Sequence, residues 1–259
     1  MKRREFIAGL GSAMAWPAVA RAQQSDRMRR IGMLVPGDEN DRLRKSFVSR
    51  FTRALGDLGW TDGRNARMDL RWYGDDNDRM RGLAHELVGL QPDIILTIGT
   101  APTTALQRET RTIPIVFAGA GEPGATGIIA GFNRPGGNIT GFANYEASLG
   151  GKWLELLSEI TPGLKRAAIM FNPDTAPDSA YMPSLETAAR SLKVAPIIAP
   201  VHSDVEIEAA IIALGRERGG GLVVMPEAFL GVHRASIISA AARNNVPAVY
   251  NLSVLARED

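Results

Sequence analysis

Asp93-Ile-Ile-Leu-Thr-Ile-Gly-Thr-Ala-Pro102 decides the fold. Its opening is a short apolar run introduced by Pro92, as a buried strand requires. Gly99 ends the run, and residues 102–109 continue with a helical pattern. The same order recurs upstream. Ile31-Gly-Met-Leu-Val35 reads as a buried strand, and residues 43–58 place Phe47, Phe51, Leu55 and Leu58 at helical spacings of three and four before Gly59 stops them. Residues 66–72 alternate like a less buried strand, and Asn77 is a candidate cap for a helix over 78–90. Downstream, Ile113-Pro-Ile-Val-Phe117 supplies a fourth strand. Alternating strands and helices predict an α/β fold with a parallel sheet covered on both faces.

The alternation then stops and restarts. Residues 119–141 are rich in glycine, hold Pro123 and the turn Arg134-Pro-Gly-Gly-Asn138, and read as an irregular crossing segment. Beyond them the pattern predicts helices over 152–160, 179–192, 204–214 and 232–244, the third capped by Asp204 or Ser203. Strands are predicted over 167–171, 194–199, 221–225 and 246–250. The expected organisation is a first α/β lobe over 23–119, a crossing or hinge segment over 120–147, a second α/β lobe over 148–250 and an atypical tail over 251–259. Two such lobes leave a ligand cleft between the carboxyl ends of their strands.

The first residues indicate where the chain works. Lys2, Arg3 and Arg4 precede an apolar, small-residue run over 7–19, and Ala20-Arg-Ala22 offers an A-x-A cleavage pattern. This is an export signal, cleaved after Ala22, and it implies a periplasmic protein. Paired Arg3 and Arg4, followed by Phe6, favour the twin-arginine route over the general one. The run is too short for a membrane span and contains Pro17.

The full chain has a formal net charge of +2. Cleavage removes Lys2, Arg3, Arg4, Arg21 and Glu5, leaving 26 cations against 27 acids, a net charge of −1. The remaining arginines alternate with acids and form no basic block, which argues against a nucleic-acid partner. There is no cysteine and only His85, His202 and His233, so neither a disulfide framework nor a metal cluster is expected. No G-x-S-x-G elbow occurs, and Asp174, Asp178 and Glu227 form no catalytic pair fixed by spacing.

Four stretches together resemble a known family. They are Asp93 to Pro102 as quoted, Gln107-Arg-Glu-Thr-Arg-Thr-Ile-Pro-Ile-Val-Phe117, Arg134-Pro-Gly-Gly-Asn-Ile-Thr-Gly141 and Gly151-Lys-Trp-Leu-Glu-Leu-Leu157. They are similar to ABC-transporter substrate-binding proteins related to those that bind tryptophan and other aromatic amino acids. The resemblance runs from about Arg30 to Tyr250 and implies the type I periplasmic binding protein fold. It also implies a non-enzymatic role without cofactor: binding an amino acid or related carboxylate by hinge closure and delivering it to an ABC permease in the membrane. Under this resemblance Gly99, Thr100 and Thr103 hold a ligand carboxylate at a helix N-terminus, although an ordinary helix cap would use the same residues. Glu227, one methylene longer than the implied aspartate, faces a ligand ammonium with Phe229 nearby; an exposed loop glutamate is the plainer reading. Asn144, Tyr145 and Asn172 are candidates for polar and stacking contacts, and Tyr250 is another that core packing would equally explain.

Relatives continue past Tyr250, so the resemblance also implies a missing C-terminal segment and exposed apolar surface on the first lobe. One rival reading uses Gly119-Ala-Gly-Glu-Pro-Gly124. This is a literal G-x-G-x-x-G after a strand with Glu146 about twenty residues on, as in an exported nicotinamide-dependent oxidoreductase. It requires a helix directly after Gly124.

Overall fold

The computed structural model describes residues 27–175, 180–216 and 218–251. The export signal and all of the tail after Asn251 lie outside the described residues.

Five parallel strands, β1 (Arg29–Val35), β2 (Ala66–Trp72), β3 (Ile94–Ile98), β4 (Ile115–Gly121) and β5 (Ile139–Tyr145), form the first sheet in the order β2-β1-β3-β4-β5. Helices α1 (Arg42–Asp57), α2 (Asn77–Gly89) and α3 (Thr100–Glu109) make its crossovers. The strand residues alternate between the two faces. Leu34, Ile95, Ile115 and Phe117 pack with Leu87 and Leu106 from α2 and α3. Ile31, Met33 and Val35 pack with Val48, Phe51 and Leu55 from α1. Both faces are therefore dry, which explains why these strands read as continuous apolar runs. Each fully buried Leu, Ile or Phe contributes roughly 1.5–3 kcal/mol.

The second sheet is parallel in the order β7-β6-β8-β9, from β6 (Arg166–Phe171), β7 (Ala195–Pro200), β8 (Gly220–Val224) and β9 (Ala248–Val249). Around it run α4 (Leu149–Ile160), α5 (Met182–Leu192), α6 (Asp204–Gly215), α7 (Ala228–Val232) and α8 (Arg234–Arg243). Its core joins Trp153, Leu154 and Leu157 of α4 to Ile169, Met170, Leu222 and Val223 of the strands. The α/β class with two parallel, Rossmann-like sheets is as expected.

Three local expectations are corrected. The glycine-rich stretch does not carry the chain between the sheets: it returns to the first sheet as β5, and only residues 146–148 separate β5 from α4. β5 is an edge strand whose outward Phe142 is 74% exposed, so it lacks the buried run that marks the other strands. Gly141 is required there, because a Cβ would lie 2.1 Å from the Phe117 carbonyl oxygen. Second, Asp76, not Asn77, caps α2, accepting from the backbone N–H groups of Asp78 (2.8 Å) and Arg79 (3.0 Å). Third, the helix predicted over 232–244 is found as α8, and a short helix that was not expected, α7, precedes it and ends at Val232. Ser203 is the cap of α6, its side chain accepting from the Glu206 N–H.

Candidate functional site

A cavity of ≈ 130 Å³ opens between the carboxyl ends of the two sheets. Pro36 follows β1, Gly99 and Thr100 follow β3, and Gly119, Asn144 and Tyr145 come from the ends of β4 and β5. The second sheet contributes Thr175 after β6 and Pro226 and Glu227 after β8. Leu43, Arg44 and Phe47, one face of α1, complete the wall. This placement is the expected one for a parallel sheet, whose loops gather at one end.

Gly99 caps α3 with φ +100°, a conformation that excludes most side chains, and Gly99, Thr100 and Ala101 bring the start of α3 to the cavity wall. Thr100 is engaged with the neighbouring strand: its Oγ1 accepts from the Gly121 N–H at 3.1 Å. Gly119 has φ +70° and lies against Asn144, whose amide nitrogen would be 3.2 Å from a Cβ at that position.

Glu227 ends β8's loop and caps α7. Its carboxylate accepts from the Thr175 hydroxyl (2.6 Å) and from the N–H groups of Phe229 (2.8 Å), Leu230 (3.1 Å) and Asn172 (3.3 Å). Burial pushes the carboxyl up to about 7, against the pull of these four donors. Arg44 is the other charged residue of the wall. It is 8% exposed, and its Nε is buried without a hydrogen-bond partner. Burial lowers its pKa, opposed by the charge of Asp41. Gly231 makes room for it, since a Cβ there would lie 2.4 Å from the Arg44 guanidinium.

The rim of the cavity is fastened across the lobes. Arg234 of α8 donates to both carboxylate oxygens of Asp41 at 2.9 and 3.0 Å, with side chains only 13% and 10% exposed. Burial alone would raise the Asp41 carboxyl, but hydrogen bonds from Arg234 and the Arg44 backbone hold it below its usual range. The His233 ring lies between Asp75 of the first lobe and Asp204 of the second, at 2.8 Å from each.

The family model described as ABC transporter substrate binding protein matches residues 33–252. The chain belongs to that family. A tyrosine-binding protein of Clostridioides difficile (strain R20291) is 26% identical to this substrate-binding protein over 223 residues, 85% of this chain. The chain spans 62% of the length of that relative. Among solved structures, a conserved domain protein from Vibrio cholerae O1 biovar El Tor aligns with a TM-score of 0.79 at 20% identity, covering 89% of this chain and 76% of the other. The ABC domain from Streptococcus pneumoniae, solved in complex with L-Trp, aligns with a TM-score of 0.77 at 16% identity over the same shares. These two likenesses establish the periplasmic-binding-protein type of fold.

Of the residues singled out in the sequence, Gly99, Thr100, Asn144, Tyr145 and Glu227 come together in the wall of the cavity. Four others do not line it. The Thr103 hydroxyl is turned back to the Gly99 carbonyl at 2.6 Å, the usual use of a threonine in a first helical turn. Asn172 is buried, its side-chain oxygen accepting from the Asp174 N–H at 2.8 Å, and it reaches Glu227 only through its own backbone. Phe229 is buried against the His233 ring, centroids 4.2 Å apart. Tyr250 lies on the far side of Glu227, in a small recess with Arg234 and Asn251. Arg44 is the charged wall residue that sequence reasoning missed; Leu43, Phe47, Thr175 and Asn251 were not singled out either. On the helix Arg44 follows a polar, arginine-rich pattern, and nothing in that pattern marks it as buried.

The nicotinamide reading is overturned by the fold. Gly119 and Gly121 are part of β4, and residues 122–138 form turns with no helix before β5 begins. A dinucleotide pyrophosphate would find no helix N-terminus after Gly124.

Proposed function

We propose that this protein is the extracytoplasmic solute-binding component of an ABC importer, exported on its twin-arginine leader and cleaved after Ala22. It takes up an amino acid or related small carboxylate, closes its two lobes on it, and presents it to a membrane permease. It acts without cofactor and without catalysis. The observation that carries this reading is the cavity walled by strand ends of both parallel sheets, in a member of this family. A ligand touching both walls at once stabilises the closed arrangement over the open one, which lets a permease tell loaded from empty protein. The Asp41–Arg234 and His233 contacts across the rim fasten that arrangement. The ligands named for the relatives, tyrosine and L-Trp, make amino acids the natural first panel.

The test is a thermal-shift screen of the purified chain against amino acids and small organic acids. A ligand at a hundredfold excess over its Kd raises the melting temperature by about 5–10 °C. A cooperatively folded chain that no member of the panel shifts refutes the proposal.

A further inference from the structure

Arg44 presents an electrostatic problem that the protein alone does not solve. Its guanidinium is in the cavity wall, its residue is 8% exposed, and no described side chain forms a hydrogen bond or ion pair with it. The acid whose charge acts on it, Asp41, is taken at both oxygens by Arg234. Arg234 itself is close enough to oppose the Arg44 charge. An arginine does not shed its proton to escape burial, so a guanidinium buried in the cavity wall without a hydrogen-bonded side-chain partner calls for an anion from the cavity side.

The other charged wall residue is not available to a cation. The Glu227 carboxylate already accepts from three N–H groups and one hydroxyl, which fill its four lone-pair positions. The rest of the wall is uncharged: Leu43, Phe47 and Ile98 beside Pro36 and Pro226 form an apolar part, and Thr100, Asn144, Tyr145, Thr175 and Asn251 a polar one. Such a wall suits a hydrocarbon body and offers an ammonium group no carboxylate with a free lone pair.

We infer that the cavity selects a small organic acid lacking a free ammonium group, its carboxylate held by the buried Arg44 guanidinium and its apolar body against Leu43, Phe47 and Ile98. This rests on the solute-binding reading and names the ligand class within it. Gly231 is part of the device: a side chain at that position of α7 would have to displace the guanidinium from where it stands. The Tyr73 hydroxyl, also buried without a partner and raised in pKa by burial, feels the same Arg44 charge.

The experiment is titration calorimetry with matched trios that share one skeleton: 3-phenylpropanoate, phenylalanine and phenethylamine, then 4-methylpentanoate, leucine and isoamylamine, with sulfate as the inorganic control. In at least one trio the deaminated acid binds about tenfold tighter than the amino acid, and the amine does not bind. Arg44→Met weakens the acid about thirtyfold and melts no lower than the parent without ligand, because it removes an uncompensated charge. An arginine with a purely structural role would give the opposite melting result. Should Arg44→Met not fold, Arg44→Lys keeps the charge, loses the fork and weakens the acid about tenfold. Tighter binding of an amino acid than of its deaminated acid, unchanged binding in the Arg44 variants, or sulfate binding alone overturns the inference. The first two leave the solute-binding reading standing, whereas a panel in which no organic ligand binds removes both.

Discussion

Replacing Glu227 with glutamine tests whether the carboxyl at the cavity wall is held against its own ionisation. Burial raises it from the ordinary glutamate value of 4.5 to about 7. A carboxyl whose folded pKa is raised contributes stability that is fully present below its unfolded value and lost as pH rises through its folded value. Stability of the parent is therefore expected to fall between about pH 4.5 and pH 7 on account of this residue. The shift corresponds to at most about 3 kcal/mol, and the part of Glu227 that meets the cavity is screened by solvent, which reduces it. Glutamine does not titrate. It also turns an amide NH2 toward donors such as the Phe229 N–H and the Thr175 hydroxyl, which lowers stability by roughly 1–3 kcal/mol at every pH. The measurement is urea unfolding of parent and Glu227→Gln at half-unit steps from pH 4.5 to 8, and the informative quantity is their difference. All other titrating groups are common to both chains, so a difference that shrinks as pH rises supports the argument. A constant difference across the window refutes it.

Two further expectations concern the seam and the sheet. Asp41→Asn removes a bidentate, nearly closed ion pair across the lobes, and costs the closed arrangement about 3 kcal/mol; small-angle scattering is expected to show a larger radius of gyration, and an unchanged profile contradicts the assignment. Gly141→Ala forces a methyl group to within 2.1 Å of the Phe117 carbonyl oxygen and separates β4 from β5; a loss of about 1–3 kcal/mol in denaturant unfolding is expected, and a wild-type midpoint counts against the β4–β5 register.

The parts of the fold that were legible in the sequence are those buried on both faces. β1, β3 and β8 read as strands because nearly every residue in them is apolar, and α1 because Phe47, Phe51 and Leu55 repeat at helical spacing. β5 was illegible for a complementary reason: at the sheet edge it carries Gly141, Asn144 and an outward Phe142, so neither a continuous nor an alternating pattern stands out. α7 was not legible because its five residues are too few to show a helical period, and Gly231 and Val232 within it are poor helix formers. For the site, chain position was informative and side-chain role was not. Position at strand ends brings Gly99, Thr100, Asn144, Tyr145 and Glu227 to the cavity wall. Whether a polar group at such a place faces inward or binds its own backbone depends on the local turn, which separated Thr100 from Thr103 and gave Glu227 a capping task. Arg44 depends on tertiary structure alone, since its burial is created by a lobe that begins more than a hundred residues later.

The space that Gly231 leaves for the Arg44 guanidinium ties together two positions that belong to different lobes. Neither can drift freely while the other stays. A side chain at 231 evicts the arginine, and loss of the arginine opens a void that position 231 is then free to fill. Across related chains the two sites are therefore expected to vary as a pair, an arginine with a glycine or a smaller residue with a larger one. Such a pair would be a readable mark, in sequence alone, of which family members share this anion requirement.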